Sequence, residues 1–262
     1  MRRSPFDKLK DRGHKLKDRD HKLKDRDDRP KDRHDGPRHG EACCSALARV
    51  RCMNDARSER AALCDLLLVT GPNAPTLCEG WTTRDLVTHL VLRDSDPVAT
   101  AGMFLPPFAG LLKRRSYELS VRTAYPDLVE RLRRGPRGLS PFRIPAVDAA
   151  ANLTEFFIHL EDVRRGGGDP LPPRVLPAAF EDLLWRQLRL MSRMMFRKAT
   201  AGVVLERETG ETLRARPGSP IVHLVGRPGE LVLYISGRTT AAQVEVIGEQ
   251  VAVADITGGL GL

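Results

Sequence analysis

The chain lacks the marks of several protein classes. Its five cysteines, Cys43, Cys44, Cys52, Cys64 and Cys78, form no CxxC pair, and none follows Cys78. An odd count confined to the first third excludes a disulfide scaffold and points to a reducing cytoplasm. The basic N-terminus has no apolar run behind it, so it does not read as a secretory signal. The most apolar stretch, Val98 to Leu112, is broken by Pro106-Pro107 and is too short to span a bilayer. No membrane partner is expected.

A basic folded part is also missing. Residues 1–52 carry 17 Lys and Arg against 10 Asp and Glu, leaving 26 against 24 in the rest. The formal charge of +9 therefore belongs mostly to the N-terminal segment. That balance argues against nucleic acid as a partner of the folded part. The oligomeric state has no signature in the sequence.

The N-terminal segment holds a repeat of period seven, at Asp7–Gly13, His14–Asp20 and His21–Asp27. Each heptad has one Leu and no second apolar seam position, which excludes a coiled coil. So little apolar surface cannot offset ordering entropy, and residues 1–52 read as a disordered tail. Three readings of the tail stand open: a polyampholyte arm, a solvated tail without a role, or a segment outside the natural coding sequence, with translation starting at Met53.

Beyond the tail, periodicity predicts helices from Ser58, from Trp81-Thr82, over Gly110–Val121, over Tyr125–Arg134, over Val147–Arg165 and over Pro177–Met195. Thr82 and Asp85 have capping-box spacing. From residue 201 the pattern changes to strands near 203–207, 212–216 and 221–225. A short helix from Pro228, a strand at Gln243–Ile247 and a helix at Val251–Ile256 follow. The expectation is α+β, with a helical domain over 53–200 and a small mixed α/β domain over 201–262.

Histidine is scarce outside the tail: only His89, His159 and His223 occur there. His223 alternates with Val222 and Leu224, so a strand turns it away from them, toward solvent. His89 and His159 fall within helices. On a helix, Glu155 and His159 lie about 40° apart, and Asp162 lies about 20° from Glu155 on its other side. Phe156, Leu160 and Val163 form a separate stripe. By spacing alone these residues are either an exposed polar pair with a satisfied histidine or a His/Glu/His ligand set with one position open, as in catalytic zinc sites. Asp162 and Asp85 are the carboxylates placed to take the second nitrogen of a ligating histidine.

Two segments carry a family resemblance. Leu77-Cys-Glu-Gly-Trp-Thr-Thr-Arg-Asp-Leu-Val-Thr-His-Leu90 and Asn152-Leu-Thr-Glu-Phe-Phe-Ile-His-Leu-Glu-Asp-Val-Arg-Arg165 resemble the two ligand motifs of the mycothiol-dependent maleylpyruvate isomerase family. Pro228–Arg238 and Val244–Gly248 resemble its C-terminal domain, so the likeness runs from about Met53 to the end of the chain.

The resemblance implies a DinB-like four-helix bundle binding zinc through His89, Glu155 and His159. It implies mycothiol as thiol cosubstrate, in an isomerase or thiol transferase acting on a small electrophile. It also ties Arg238 to activity, where a guanidinium fork would suit a substrate carboxylate. The alternative is a non-catalytic metal or small-molecule binding module. The chain most resembles a branch without an assigned reaction, so maleylpyruvate is not carried over as substrate. The ligand types would also accept nickel or iron. Trp81 reads as a core or staple residue beside the second helix, and Cys78 either as a reactive thiol near the first motif or, with no basic partner in the sequence, as a small buried residue.

Overall fold

The computed structural model describes residues 39–98, 102, 105–136, 145–168 and 171–260. The chain divides into two units, Met1–Cys43 and Cys44–Leu262, and the second holds the whole sheet and both apolar cores. The heptad repeat lies outside the described residues.

Helix α1 spans His39–Thr70, beginning well before the Ser58 start read from the sequence. Residues 41–70 contain neither Gly nor Pro, so nothing ends the helix until Gly71-Pro72. Ser58 is therefore an interior residue and not a cap, and the last part of the segment assigned to the tail is helical.

The other helices follow the expected pattern. They are α2 (Thr83–Ser95), α3 (Ala109–Arg122), α4 (Tyr125–Arg134), α5 (Pro145–Arg165) and α6 (Ala178–Met195). Four strands follow, β1 (Gly202–Glu206), β2 (Thr212–Arg216), β3 (Ile221–Val225) and β4 (Glu245–Ile247). Helix α7 (Pro228–Ile235) joins β3 to β4, and α8 (Gln250–Thr257) closes the described chain. The sheet order is β2-β1-β3-β4, with β1 and β3 parallel and both outer pairs antiparallel. The architecture is α+β.

Helices α1, α2, α4 and α5 share one apolar core: Leu63 and Leu67, Leu86 and Leu90, Leu128 and Leu132, Phe156 and Leu160. A second core joins α5 and α6 to the sheet, through Leu153, Phe157, Leu184, Leu188, Val203, Leu205, Val222 and Leu224. Helix α7 is buried along its whole length and belongs to this second core. Helix α5 thus feeds both cores from different faces. The sequence shows one packing stripe on it; Leu153, Phe157 and Ile158 supply another. A helix apolar on two sides is an interior helix, so its polar stripe lies largely among protein groups, with His159 and Asp162 buried and Glu155 partly open.

Candidate metal centre

Helix α2 is set in place by the segment before it. Thr82 and Asp85 form a capping box: the Asp85 carboxylate accepts the Thr82 backbone N–H at 2.9 Å and its hydroxyl at 2.6 Å. The Thr83 and Arg84 amides donate back to the carbonyls of Ala74 and Pro72, at 2.9 and 3.1 Å. The buried stripe Leu86, Val87, Leu90 and Val91 then leaves His89, and Arg93 one turn on, facing α5.

His89, Glu155 and His159 meet there. Nε2 of His89 lies 3.5 Å from Oε1 of Glu155, and Nε2 of His159 lies 3.2 Å from the same oxygen. One ligand atom from each residue falls within 4.8 Å of the others, a group able to hold a metal ion. The imidazole rings stand edge to face with centroids 5.6 Å apart. His159 is buried, while His89 and Glu155 are partly open.

The second nitrogen of His159 is committed elsewhere. Its Nδ1 lies 2.8 Å from Oδ2 of Asp162, a carboxylate with no exposure. This fixes Nε2 as the nitrogen turned toward Glu155 and His89, the usual arrangement behind a metal-ligating histidine. Asp85 does not play the same part for His89. Its carboxylate is turned back to Thr82, because side chains in the first turn of a helix tilt toward the N-terminus.

Two groups not singled out from the sequence complete the surroundings of Glu155. Arg93 Nε lies 3.2 Å from Glu155 Oε1, and another arginine nitrogen donates to Oδ1 of Asn152. His89 and Arg93, four apart on α2, face Asn152 and Glu155, three apart on α5. That spacing is the only sequence signal for Arg93.

The charges divide unevenly. Burial lowers the pKa of His89, against the bond from Glu155, and so favours its neutral, ligating form. Burial alone would raise Glu155 and lower His159. The bonds of Glu155 to His159 and His89 hold its pKa well below the ordinary value. The bonds of His159 to Asp162, Cys78 and Glu155 hold its pKa well above. For Asp162, burial is outweighed by His159 and Arg238, and its pKa falls to about 2.

Arg238 reaches this cluster from the turn after α7. Its Nε meets Asp162 Oδ1 at 2.8 Å and its Nη2 meets Oδ2 at 2.6 Å, a two-point fork. Nη2 also lies 3.1 Å from Sγ of Cys78, and Nη1 donates to the Ser236 carbonyl at 2.6 Å. Cys78 thus has a basic partner after all, 160 positions away in sequence. Its thiol also donates to Asp162 Oδ2 at 3.2 Å. Cys78, His159 and Asp162 form a second group with metal-ligand geometry, but there the Arg238 guanidinium already supplies the cation.

Two further expectations need correction. Trp81 is 37% exposed and is not a core residue; its ring centroid lies 5.2 Å from that of His89, so it flanks the centre. His223 is half-buried, and its Nδ1 is cut off from water without a hydrogen-bond partner, while Val222 and Leu224 are buried as expected.

No protein-family model matches the sequence, and no curated protein matches it. Two solved structures do match. A histidine-to-alanine mutant of the mycothiol-dependent maleylpyruvate isomerase aligns with a TM-score of 0.53 at 18% identity, over 76% of this chain and 92% of that one. The mycothiol-dependent maleylpyruvate isomerase itself aligns over the same shares at a TM-score of 0.50 and 18% identity. At this identity the likeness establishes a shared fold.

Proposed function

We propose that the chain is a metal-dependent thiol enzyme, an isomerase or thiol transferase acting on a small electrophile, with mycothiol as cosubstrate. The observation that carries the reading is the convergence of His89, Glu155 and His159 from two helices, with the other nitrogen of His159 already held by Asp162. The donor set fits a divalent zinc: two imidazole nitrogens and a carboxylate oxygen, with partly exposed side chains on one side. The fold shared with a protein whose name states mycothiol dependence supports the choice of thiol. We read α1, α2, α4 and α5, which share one core, as the DinB-like four-helix bundle around the centre.

When bound, zinc would favour the thiolate of a coordinated thiol at neutral pH, and the thiolate is the nucleophilic form. The protein's own groups prepare the place. Asp162 fixes which nitrogen of His159 faces the centre. Arg93, itself bonded to Asn152, holds the carboxylate of Glu155. Trp81 covers one side of His89. Arg238 is held by Asp162 along the fork that a substrate carboxylate would need, so its tie to activity runs through Asp162. Among the described residues no helix is long and apolar enough to cross a membrane. A small-molecule partner in a reducing cytoplasm is the setting we propose, in keeping with free thiols at Cys64 and Cys78.

The test joins metal analysis to thiol chemistry. Protein purified without chelator should carry about one zinc per chain, and His89→Ala or His159→Ala should lose it. Loaded protein should then consume mycothiol or isomerise substrate within a panel of small electrophiles. Protein free of stoichiometric metal sinks the reading. Zinc bound without any thiol chemistry turns it into the non-catalytic binding module.

A further inference from the structure

Within about three turns helix α5 serves two ends. Glu155 and His159 face the metal position, and Glu161, Asp162 and Arg165 hold the C-terminal half. The hold consists of two buried clasps. In the first, Arg165 bridges Glu161, at 2.6 Å, and Glu230 of α7, at 3.0 and 2.8 Å. In the second, Asp162 takes the fork of Arg238. Only the second clasp touches a residue of the metal centre, because Oδ2 of Asp162 also meets Nδ1 of His159.

We infer that Asp162 is a positioning residue that links occupancy of the metal centre to the order of the Ser236–Ala242 turn; this rests on the metal-centre reading above. The His159 ring lies between two carboxylates, Glu155 and Asp162. A metal held by Nε2 would pin the ring and so keep Nδ1–H on Oδ2. A carboxylate is planar, so fixing Oδ2 also fixes Oδ1, and the two together seat the guanidinium of Arg238. Arg238 anchors its own turn. Its amide donates to the Leu233 carbonyl at 3.0 Å, and its carbonyl accepts the amides of Ala241 and Ala242 at 3.1 and 2.9 Å. Nη1 holds the Ser236 carbonyl. Order imposed at His159 therefore passes through one buried side chain into a segment that touches none of the three ligands among the described contacts. Linkage of this kind runs both ways, so the turn also reports on the metal.

The experiment is amide hydrogen exchange on the full chain with and without Zn2+, together with zinc affinity by chelator competition. In the wild type, Zn2+ should slow exchange in α2 and α5 and also, several-fold, at Arg238, Ala241 and Ala242. Asp162→Asn should keep the slowing in α2 and α5, bind zinc about tenfold more weakly, and lose the slowing in the turn. Glu230→Gln breaks the other clasp, which also holds the turn through Arg165 on the Ala241 carbonyl and Glu230 on the Gln243 amide, and serves as the comparison: it should raise exchange in the turn both with and without Zn2+, yet keep the wild-type affinity and the zinc-dependent slowing. A turn indifferent to Zn2+ in the wild type overturns the inference, as does equal behaviour of the two variants. Should Asp162→Asn fail to fold, Arg238→Lys, which keeps the charge without the fork, must bind zinc but lose the slowing in the turn; retention there overturns the inference. If zinc slows nothing anywhere, the metal-centre reading itself fails and the inference falls with it.

Discussion

Gly166, just past the end of α5, lies against Thr76. A Cβ placed on Gly166 would sit 2.4 Å from the Thr76 Cα, closer than any two such atoms can approach. The contact brings the Thr76–Cys78 segment onto α5, where the Leu77 amide donates to the Asp162 carbonyl at 3.1 Å and Cys78 meets the Asp162 side chain. The obstacle at Gly166 is backbone, which cannot swing aside like a flexible side chain.

Gly166→Ala is therefore expected to push the Thr76–Cys78 segment off the helix. The cost should be about 1–3 kcal/mol, the range for overpacked sites. Cys78 should also become more accessible to a thiol reagent. Urea unfolding and the alkylation rate of Cys78 check both. A variant as stable as the wild type, with Cys78 no more reactive, would show that the contact gives way freely.

Cys64 and Cys78 should differ in reactivity for a physical reason. Cys64 is fully buried in the core shared by α1, α2, α4 and α5, and burial pushes its thiol up to about 11, with Arg133 and Arg60 opposing. At pH 8 it is protonated and shielded, and only thiolates react. Peptide-mapped alkylation of native protein should leave Cys64 unmodified until the chain unfolds. Labelling of Cys64 in the native state at the unfolded rate would contradict its place in the core.

Much of this centre was legible in local patterns. The start of α2 follows from Thr82 and Asp85 three apart, and the polar stripe of α5 from Glu155, His159 and Asp162. Periodicity alone left that stripe open between a solvated pair and a ligand set. The second apolar face of α5 decides for the interior, and its partners lie in the sheet and α6, out of reach of a local pattern. Asp85 was ambiguous because one carboxylate can either cap its helix or reach the next turn, and the cap is closer. The contact of Arg238 with Asp162 and Cys78 joins residues with no shared period and no shared element. Only tertiary structure brings it into view.

Two buried glutamates should shift stability with pH in opposite senses. Burial raises the pKa of Glu181, although the Gly229 amide donates to it at 3.0 Å. Its folded pKa exceeds the unfolded one, so stability is lost as pH rises from the ordinary value of 4.5 through the folded value. For Glu230, burial is outweighed by Arg165 and the Gln243 amide, and the folded pKa is lowered. Its contribution is present above 4.5 and lost as pH falls through the folded value. With chelator present, Glu181→Gln should gain stability at pH 7 relative to pH 4. Glu230→Gln should lose about 1–3 kcal/mol at pH 7 and less at pH 4. Urea midpoints across that range decide, and parallel pH profiles for the two variants would refute the assignment.

Trp81 offers an optical report on the centre. Its indole is 5.2 Å from His89, within range of contact quenching by an open-shell ion bound at that imidazole. The other tryptophan, Trp185, is 4% exposed, lies in α6 and donates its indole N–H to Glu211, as part of the sheet-side core. Loading the centre with Co2+ or Cu2+ should therefore quench the red-shifted, solvent-facing part of the emission, which belongs to Trp81. The blue, buried part should persist. Trp81→Phe should abolish most of the quenching while leaving metal stoichiometry unchanged, because the side chain flanks the centre and donates nothing to it. His89→Ala should abolish quenching and stoichiometric binding together. Quenching that survives in Trp81→Phe would place the ion elsewhere, near Trp185, and would remove His89 from the ligand set.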